Sequence, residues 1–164
     1  MTARRHTANL GAPARAAPYR GRMPTTLPAS HADLLDRPLF AHLATIRPDG
    51  SPQSSVMWFA WDGELLRFTH TSTRQKFKNL EHEPRVALSI ADPDDEYRFL
   101  EVRGTVESIT PDDADASFYH SLQVRYGNEY PIPDAAVRVV VAVRPERFVA
   151  VSGGGVVASG VLAG

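Results

Sequence analysis

Residues 43–70 read LATIRPDGSPQSSVMWFAWDGELLRFTH. Asp-Gly occurs twice, at Asp49-Gly50 and Asp62-Gly63, each time between runs rich in β-branched and aromatic residues. Asp-Gly tolerates the positive φ angles of a tight hairpin, so the spacing predicts three strands, FAHLATIRP, PQSSVMWFAW and LLRFTH, joined by two hairpins.

Upstream, HADLLDR reads as a short helix with a capping-box-like start at Ser30 and Asp33, stopped by Pro38. Downstream, TSTRQKFKNL (71–80) reads as a helix and RVALSIAD (85–92) as a strand. YRFLEVRGTVESIT (97–110) follows as a long strand, with Gly104 as a bend. Thr110 as N-cap, Pro111 in the first turn and Asp113 as capping acid open a helix through SFYHSLQVRYG, with Phe118, Leu122 and Tyr126 on one face. Two further strands, AVRVVVAV and RFVAV, precede SGGGVVASGVLAG, which reads as linker. Six or seven strands with few helices do not alternate as βαβ, which favours an antiparallel barrel over a doubly wound sheet. The edges of a small barrel and the pair Trp58 and Trp61 on one hairpin suit a homodimer.

The chain has 164 residues, 43% hydrophobic and 23% charged, sufficient for one cored domain. The expected division is a disordered basic extension over 1–27, a barrel over 28–152 and a flexible tail over 153–164. Residues 1–22 carry five arginines and no acid, so the net charge of −1 hides a body at −6. No apolar run is long enough for a membrane helix, and no secretory signal pattern is evident, so a cytoplasmic protein is expected. Cysteine is absent, which removes disulfides and thiolate chemistry. The acidic body speaks against a nucleic-acid barrel.

Lys76 and Lys78 are the only lysines among eighteen lysines and arginines. They stand beside Arg74, just after Thr69, Thr71, Ser72 and Thr73. Cations and hydroxyls thus gather where a helix begins, and its free N–H groups favour an anion. Helical phase places Phe77 and Leu80 inward, Arg74 and Lys76 on flanks and Lys78 in solvent. An ordinary amphipathic helix with a solvated basic face fits the same spacing. The histidines form no HxxxH or HxH pair, and the acidic run DPDDE (92–96) lacks the alternating ligands of a calcium loop, so no metal site is expected and the run reads as a solvated turn. No GxSxG elbow, P-loop or strand-linked GxGxxG is present.

From residue 30 to residue 151 the succession TIRPDGSP, TSTRQKFKNLEHEPRV, EVRGTVESIT and VVVAVRPERFVAV resembles the flavin and deazaflavin split-barrel family related to pyridoxamine 5'-phosphate oxidase, closest to its coenzyme F-420-dependent branch. The resemblance implies a homodimer of six-stranded antiparallel split barrels with one cofactor in each of two grooves at the interface. It places Ser54, Ser55, Val56, Met57 and Trp58 against the ring system. It places Thr69, Thr71, Arg74, Lys76 and Asn79 around the ribityl chain and phosphate. The implied activity is hydride transfer from reduced coenzyme F-420 to a small conjugated acceptor, with FMN as alternative cofactor and a non-catalytic flavin-binding protein as alternative role. The C-terminal arginine and tryptophan motifs for pyridoxamine phosphate are missing. No catalytic acid or base is assigned; Tyr126, Tyr130 and His70 are candidates only.

Overall fold

The structure is a computed structural model and describes residues 26–159. The basic segment 1–22 lies outside them. A 3-10 turn (Ala29–His31) and α1 (Asp33–Asp36) lead into β1 (Ala41–Ile46), β2 (Pro52–Met57), β3 (Ala60–Trp61) and β4 (Leu66–Thr71). Then follow α2 (Gln75–His82), β5 (Arg85–Asp92), β6 (Asp95–Pro111), α3 (Ser117–Arg125), β7 (Arg138–Ser152) and β8 (Gly155–Ser159).

The strands pair antiparallel in the order β2-β1-β5-β6-β7-β4-β3, with β8 added to β7. Eight strands form among the described residues: of the seven expected runs, AVRVVVAV and RFVAV join as β7, β3 separates from β2, and part of the glycine-rich tail pairs with β7. Gly153 and Gly154, both at positive φ, make that last turn. The run expected as one strand, PQSSVMWFAW, therefore breaks at Trp58-Phe59. β2 and β3 are consecutive in sequence yet occupy opposite ends of the sheet, so the segment crossing between them closes the sheet into a barrel. Phe59, fully buried, anchors the crossing, and the Tyr126 hydroxyl clamps its backbone, accepting from Phe59 N–H (3.1 Å) and donating to the Leu39 carbonyl (2.6 Å).

Both Asp-Gly turns form, with φ of 85° at Gly50 and 96° at Gly63. At Gly104 the register between β6 and β7 slips, and a Cβ there would overlap the Arg144 carbonyl oxygen. Phe68 and Leu66 of β4, Leu88 and Ile90 of β5, Leu100 of β6 and Phe148 of β7 fill the interior. α1 adds Leu34 and Leu35.

Two caps differ from expectation. The Ser30 hydroxyl bonds its neighbour His31 instead of capping α1, while buried His31 also reaches the Val151 carbonyl (2.9 Å) and ties the segment to β7. β6 runs on through Pro111, so α3 starts only at Ser117. There the Asp112 carboxylate accepts from Phe118 and Tyr119 N–H and the Asp113 carboxylate from Ser117 N–H. The run DPDDE forms an exposed turn at 93–94, as expected, but its first residue departs from that reading. Asp92 is buried and bonds Arg37 and Arg98, which also meet Asp94 and Asp33, fastening α1 to the β5–β6 turn. The Asp94 backbone N–H, then Arg98 and Arg37, hold the Asp92 carboxyl down at about 2.

Candidate functional site

The decapeptide becomes helical only at Gln75, with Arg74 as N-cap in extended backbone. Before it, Ser72 N–H bonds the Val137 carbonyl (2.9 Å), which ties the end of β4 to the approach of β7. The Arg74 side chain does not cap α2, and in its first turn Phe77 N–H turns back to the Arg74 carbonyl (3.1 Å). Phe77 and Leu80 face the core as expected, and Lys78 is exposed.

Lys76 departs from its flank position: it is only 5% exposed. Its ammonium contacts the Met57 thioether, a weak acceptor, and no carboxylate among the described residues bonds it. Burial, then the charge of Arg74, pull its pKa from 10.5 down to about 8. A cation held this way is in a poor state until an anion arrives. His70, at the end of β4, shares the same field: burial first, then Lys76, Arg74 and Arg138, lower its pKa from 6.5 to about 4. Arg138 opens β7 directly opposite Thr71. It pairs with Asp134 at 2.9 and 3.0 Å, and its guanidinium stacks 3.5 Å from the centre of the Tyr119 ring. Sequence reading missed Arg138; only the register of β4 against β7 brings it to Thr71.

Thr69 and Thr71 are buried on β4, and the Thr69 hydroxyl has no partner among the described residues. Asn79 is fully buried and engaged within the protein. Its amide donates to the Thr45 hydroxyl and the Gln53 side chain (both 3.0 Å) and accepts from Gln75 (2.9 Å), which pins α2 to the β1–β2 hairpin.

Strand alternation splits the five residues expected against a ring. Ser55 and Met57 point to the same side as Gln53, toward α2, and the buried Ser55 hydroxyl lacks a partner among the described residues. Ser54 and Val56 lie on the opposite, exposed face, with Val56 55% exposed. Trp58 stacks on Tyr126 (5.0 Å, 14°) and on Tyr119 (6.3 Å, 28°). Of the tyrosines weighed as catalytic, Tyr126 holds backbone groups and Tyr130 bonds Asn128 (2.6 Å). A groove of about 390 Å³ lies alongside, between Phe77 of α2, Ile109 and Pro111 of β6 and Val137 and Val139, with Ser72 and Arg138 in its lining. Among the described residues no cluster could hold a metal ion, and no helix is long and apolar enough to cross a membrane.

In this antiparallel barrel Arg74 and Lys76 stand at the start of α2 and Arg138, paired with Asp134, at the start of β7, an arrangement that could hold an anionic ligand. The chain belongs to the pyridoxamine 5'-phosphate oxidase family, whose model matches residues 27–152. A solved F420 reductase is 54% identical, with a TM-score of 0.72, covering 74% of this chain and 98% of its own. A conserved hypothetical protein from Mycobacterium tuberculosis is 26% identical, with a TM-score of 0.62 and coverage of 82% and 90%. HupZ from Group A Streptococcus shares the fold at 17% identity, with a TM-score of 0.60 and coverage of 81% and 100%. No curated protein matches. Family and reductase neighbour together support an oxidoreductase of flavin or deazaflavin type.

Proposed function

We propose that the protein transfers hydride from reduced coenzyme F-420 to a small conjugated organic acceptor. The observation that carries this reading is Lys76: a buried ammonium with only a thioether for company among the described residues, beside Arg74 at the start of α2, fits the phosphate of such a cofactor. The unpartnered hydroxyls of Thr69 and Ser55 are further groups that a ligand would satisfy. The 54% identity to an F420 reductase favours the deazaflavin over FMN.

When bound, the deazaflavin ring supplies the hydride chemistry. The chain's part is to bind and orient. Arg74 and Lys76 meet the phosphate by charge-assisted hydrogen bonds, and Thr69 and Thr71 line the approach. Trp58, held between Tyr126 and Tyr119, is a rigid wall rather than a mobile contact. With the Tyr126 hydroxyl engaged by backbone, no side chain here is assigned a proton to move.

We further propose a homodimer. Edge strand β2 carries unpaired backbone on one side, and Val56 stands exposed there opposite His42 of β1.

Side-by-side titration of the purified protein with coenzyme F-420 and FMN tests the cofactor, and turnover against a panel of conjugated acceptors tests the activity. Tighter binding of F-420 with turnover is expected. A preference for FMN transfers the case to an FMN oxidoreductase, and tight binding without any turnover to a flavin carrier.

A further inference from the structure

Met57, the partner of the Lys76 ammonium, brings a chemistry of its own. It ends β2, which pairs only with β1 among the described residues, and it is half-buried. Its strand parity with Gln53 and Ser55 directs it toward α2, where the Lys76 ammonium lies 2.6 Å from Sδ. Asn79 fixes this meeting, because its bonds to Thr45 and Gln53 hold α2 on the β1–β2 hairpin. A thioether is a soft and weak acceptor, yet oxidation adds to it a sulfoxide oxygen, which is a strong one. Met1 and Met23, the other two methionines, lie outside the described residues.

We propose that Met57 is a site of reversible oxidation, and that its sulfoxide captures the Lys76 ammonium and closes the anion cradle. The inference rests on the reading of Lys76 as an anion ligand and adds a control to it. The oxidant is a peroxide. A lone pair of Sδ forms the S–O bond as the O–O bond breaks; sulfur gives up two electrons, and the departing hydroxide takes a proton from solvent to leave as water. The new oxygen carries partial negative charge, so the ammonium, retreating along its flexible stem, gains the charge-assisted bond that the thioether cannot supply. Two effects then oppose the ligand. The empty site no longer holds a buried cation in want of a partner, so an arriving anion relieves less. The sulfoxide oxygen also turns its negative end toward the place the anion would take. Reduction of the sulfoxide restores the thioether and with it the open cradle.

Treatment of the full chain with hydrogen peroxide, followed by peptide mass analysis, tests the first step: the peptide holding Met57 should gain one oxygen atom. NMR of isotope-labelled lysine tests the second, because Lys78 is the only other lysine and the Lys76 signal is the one missing in Lys76→Met. A hydrogen bond to the charged form favours that form, so on oxidation the Lys76 midpoint should climb from about 8 by roughly one pH unit or more. Sulfate, as a phosphate-like probe, and coenzyme F-420 should each bind the oxidised protein roughly tenfold more weakly. Met57→Leu should show neither response to peroxide. Met57→Gln, whose side-chain carbonyl offers Lys76 a permanent acceptor, should show both without it, and carries the test if the oxidised protein does not stay folded. The proposal is overturned if Met57 resists peroxide, if the Lys76 midpoint stays near 8 once Met57 is oxidised, or if sulfate binds the oxidised and parent proteins alike. If F-420 binds both forms equally, the cofactor reading survives and this inference falls. If F-420 binds neither form while oxidation raises the midpoint and weakens sulfate, this inference stands and the cofactor reading falls.

Discussion

Replacing Lys76 with methionine should make the empty protein more stable and the loaded protein harder to form. The side chain is almost fully buried, and its pKa has fallen from 10.5 to about 8, which corresponds to roughly 3 kcal/mol by which the folded state disfavours the charge. The sign follows from proton counts. Below pH 8 the lysine is charged in both folded and unfolded chains, so the full cost is present; as pH rises from 8 toward 10.5 the folded protein sheds the proton first and the cost fades. Methionine is of similar length and can pack against Met57, so Lys76→Met removes the cost without opening a cavity. At pH 7 the gain has an upper limit of about 3 kcal/mol, near 10 °C of melting temperature for a domain of this size. At pH 9.5 the advantage should shrink by about 2 kcal/mol. Affinity for coenzyme F-420 should meanwhile fall by about 1.5 to 3 kcal/mol, tenfold or more in Kd. Thermal melts at both pH values and a cofactor titration measure all three quantities. If Lys76→Met melts lower than the parent and binds F-420 equally well, Lys76 is a structural residue and the cradle argument is wrong.

Asn79→Ala should do the opposite, destabilising by about 1 to 3 kcal/mol through unpaired Thr45 and Gln53 groups, read as a lower melting temperature. Gly104→Ala forces a Cβ into the Arg144 carbonyl and should be among the most damaging small substitutions, with soluble yield and melting temperature both reduced. Val56→Asp, on the exposed face of β2, should convert a dimer to a monomer in sedimentation; an unchanged dimer would move the interface elsewhere. Empty protein should lose stability as pH drops from 6.5 to about 4, because the unfolded chain protonates His70 before the folded one does, and His70→Gln should lessen that loss in acid melts.

The parts of the fold that were readable from sequence are those where local chemistry and tertiary need coincide. Both Asp-Gly turns form, and RVALSIAD is β5 to the residue because its alternation matches a half-buried central strand. What was hidden depends on distant partners. The break at Trp58-Phe59 has no turn residue to announce it; the chain bends there because Phe59 enters the core while Tyr126, 67 positions away, takes its backbone groups. Gly155–Ser159 looks like linker because its pairing surface is supplied by β7. α3 starts late because β6 can still pair with β7 out to Pro111, and ladder bonds outweigh an early cap.

The site divides in the same way. Cations and hydroxyls at 69–76 are adjacent in sequence, so their convergence was visible, whereas helical phase alone misplaced Lys76. The inward direction of that side chain is set by where the β1–β2 hairpin grips the helix. Asn79 is the grip: its bonds to Thr45 and Gln53 fix the rotation of α2 and carry Lys76, one turn earlier, over Met57. A residue expected to touch the cofactor is thereby also the one that aims Lys76. The two roles are separable, because loss of the grip should lower stability and affinity together, while loss of the lysine should raise the first and lower the second.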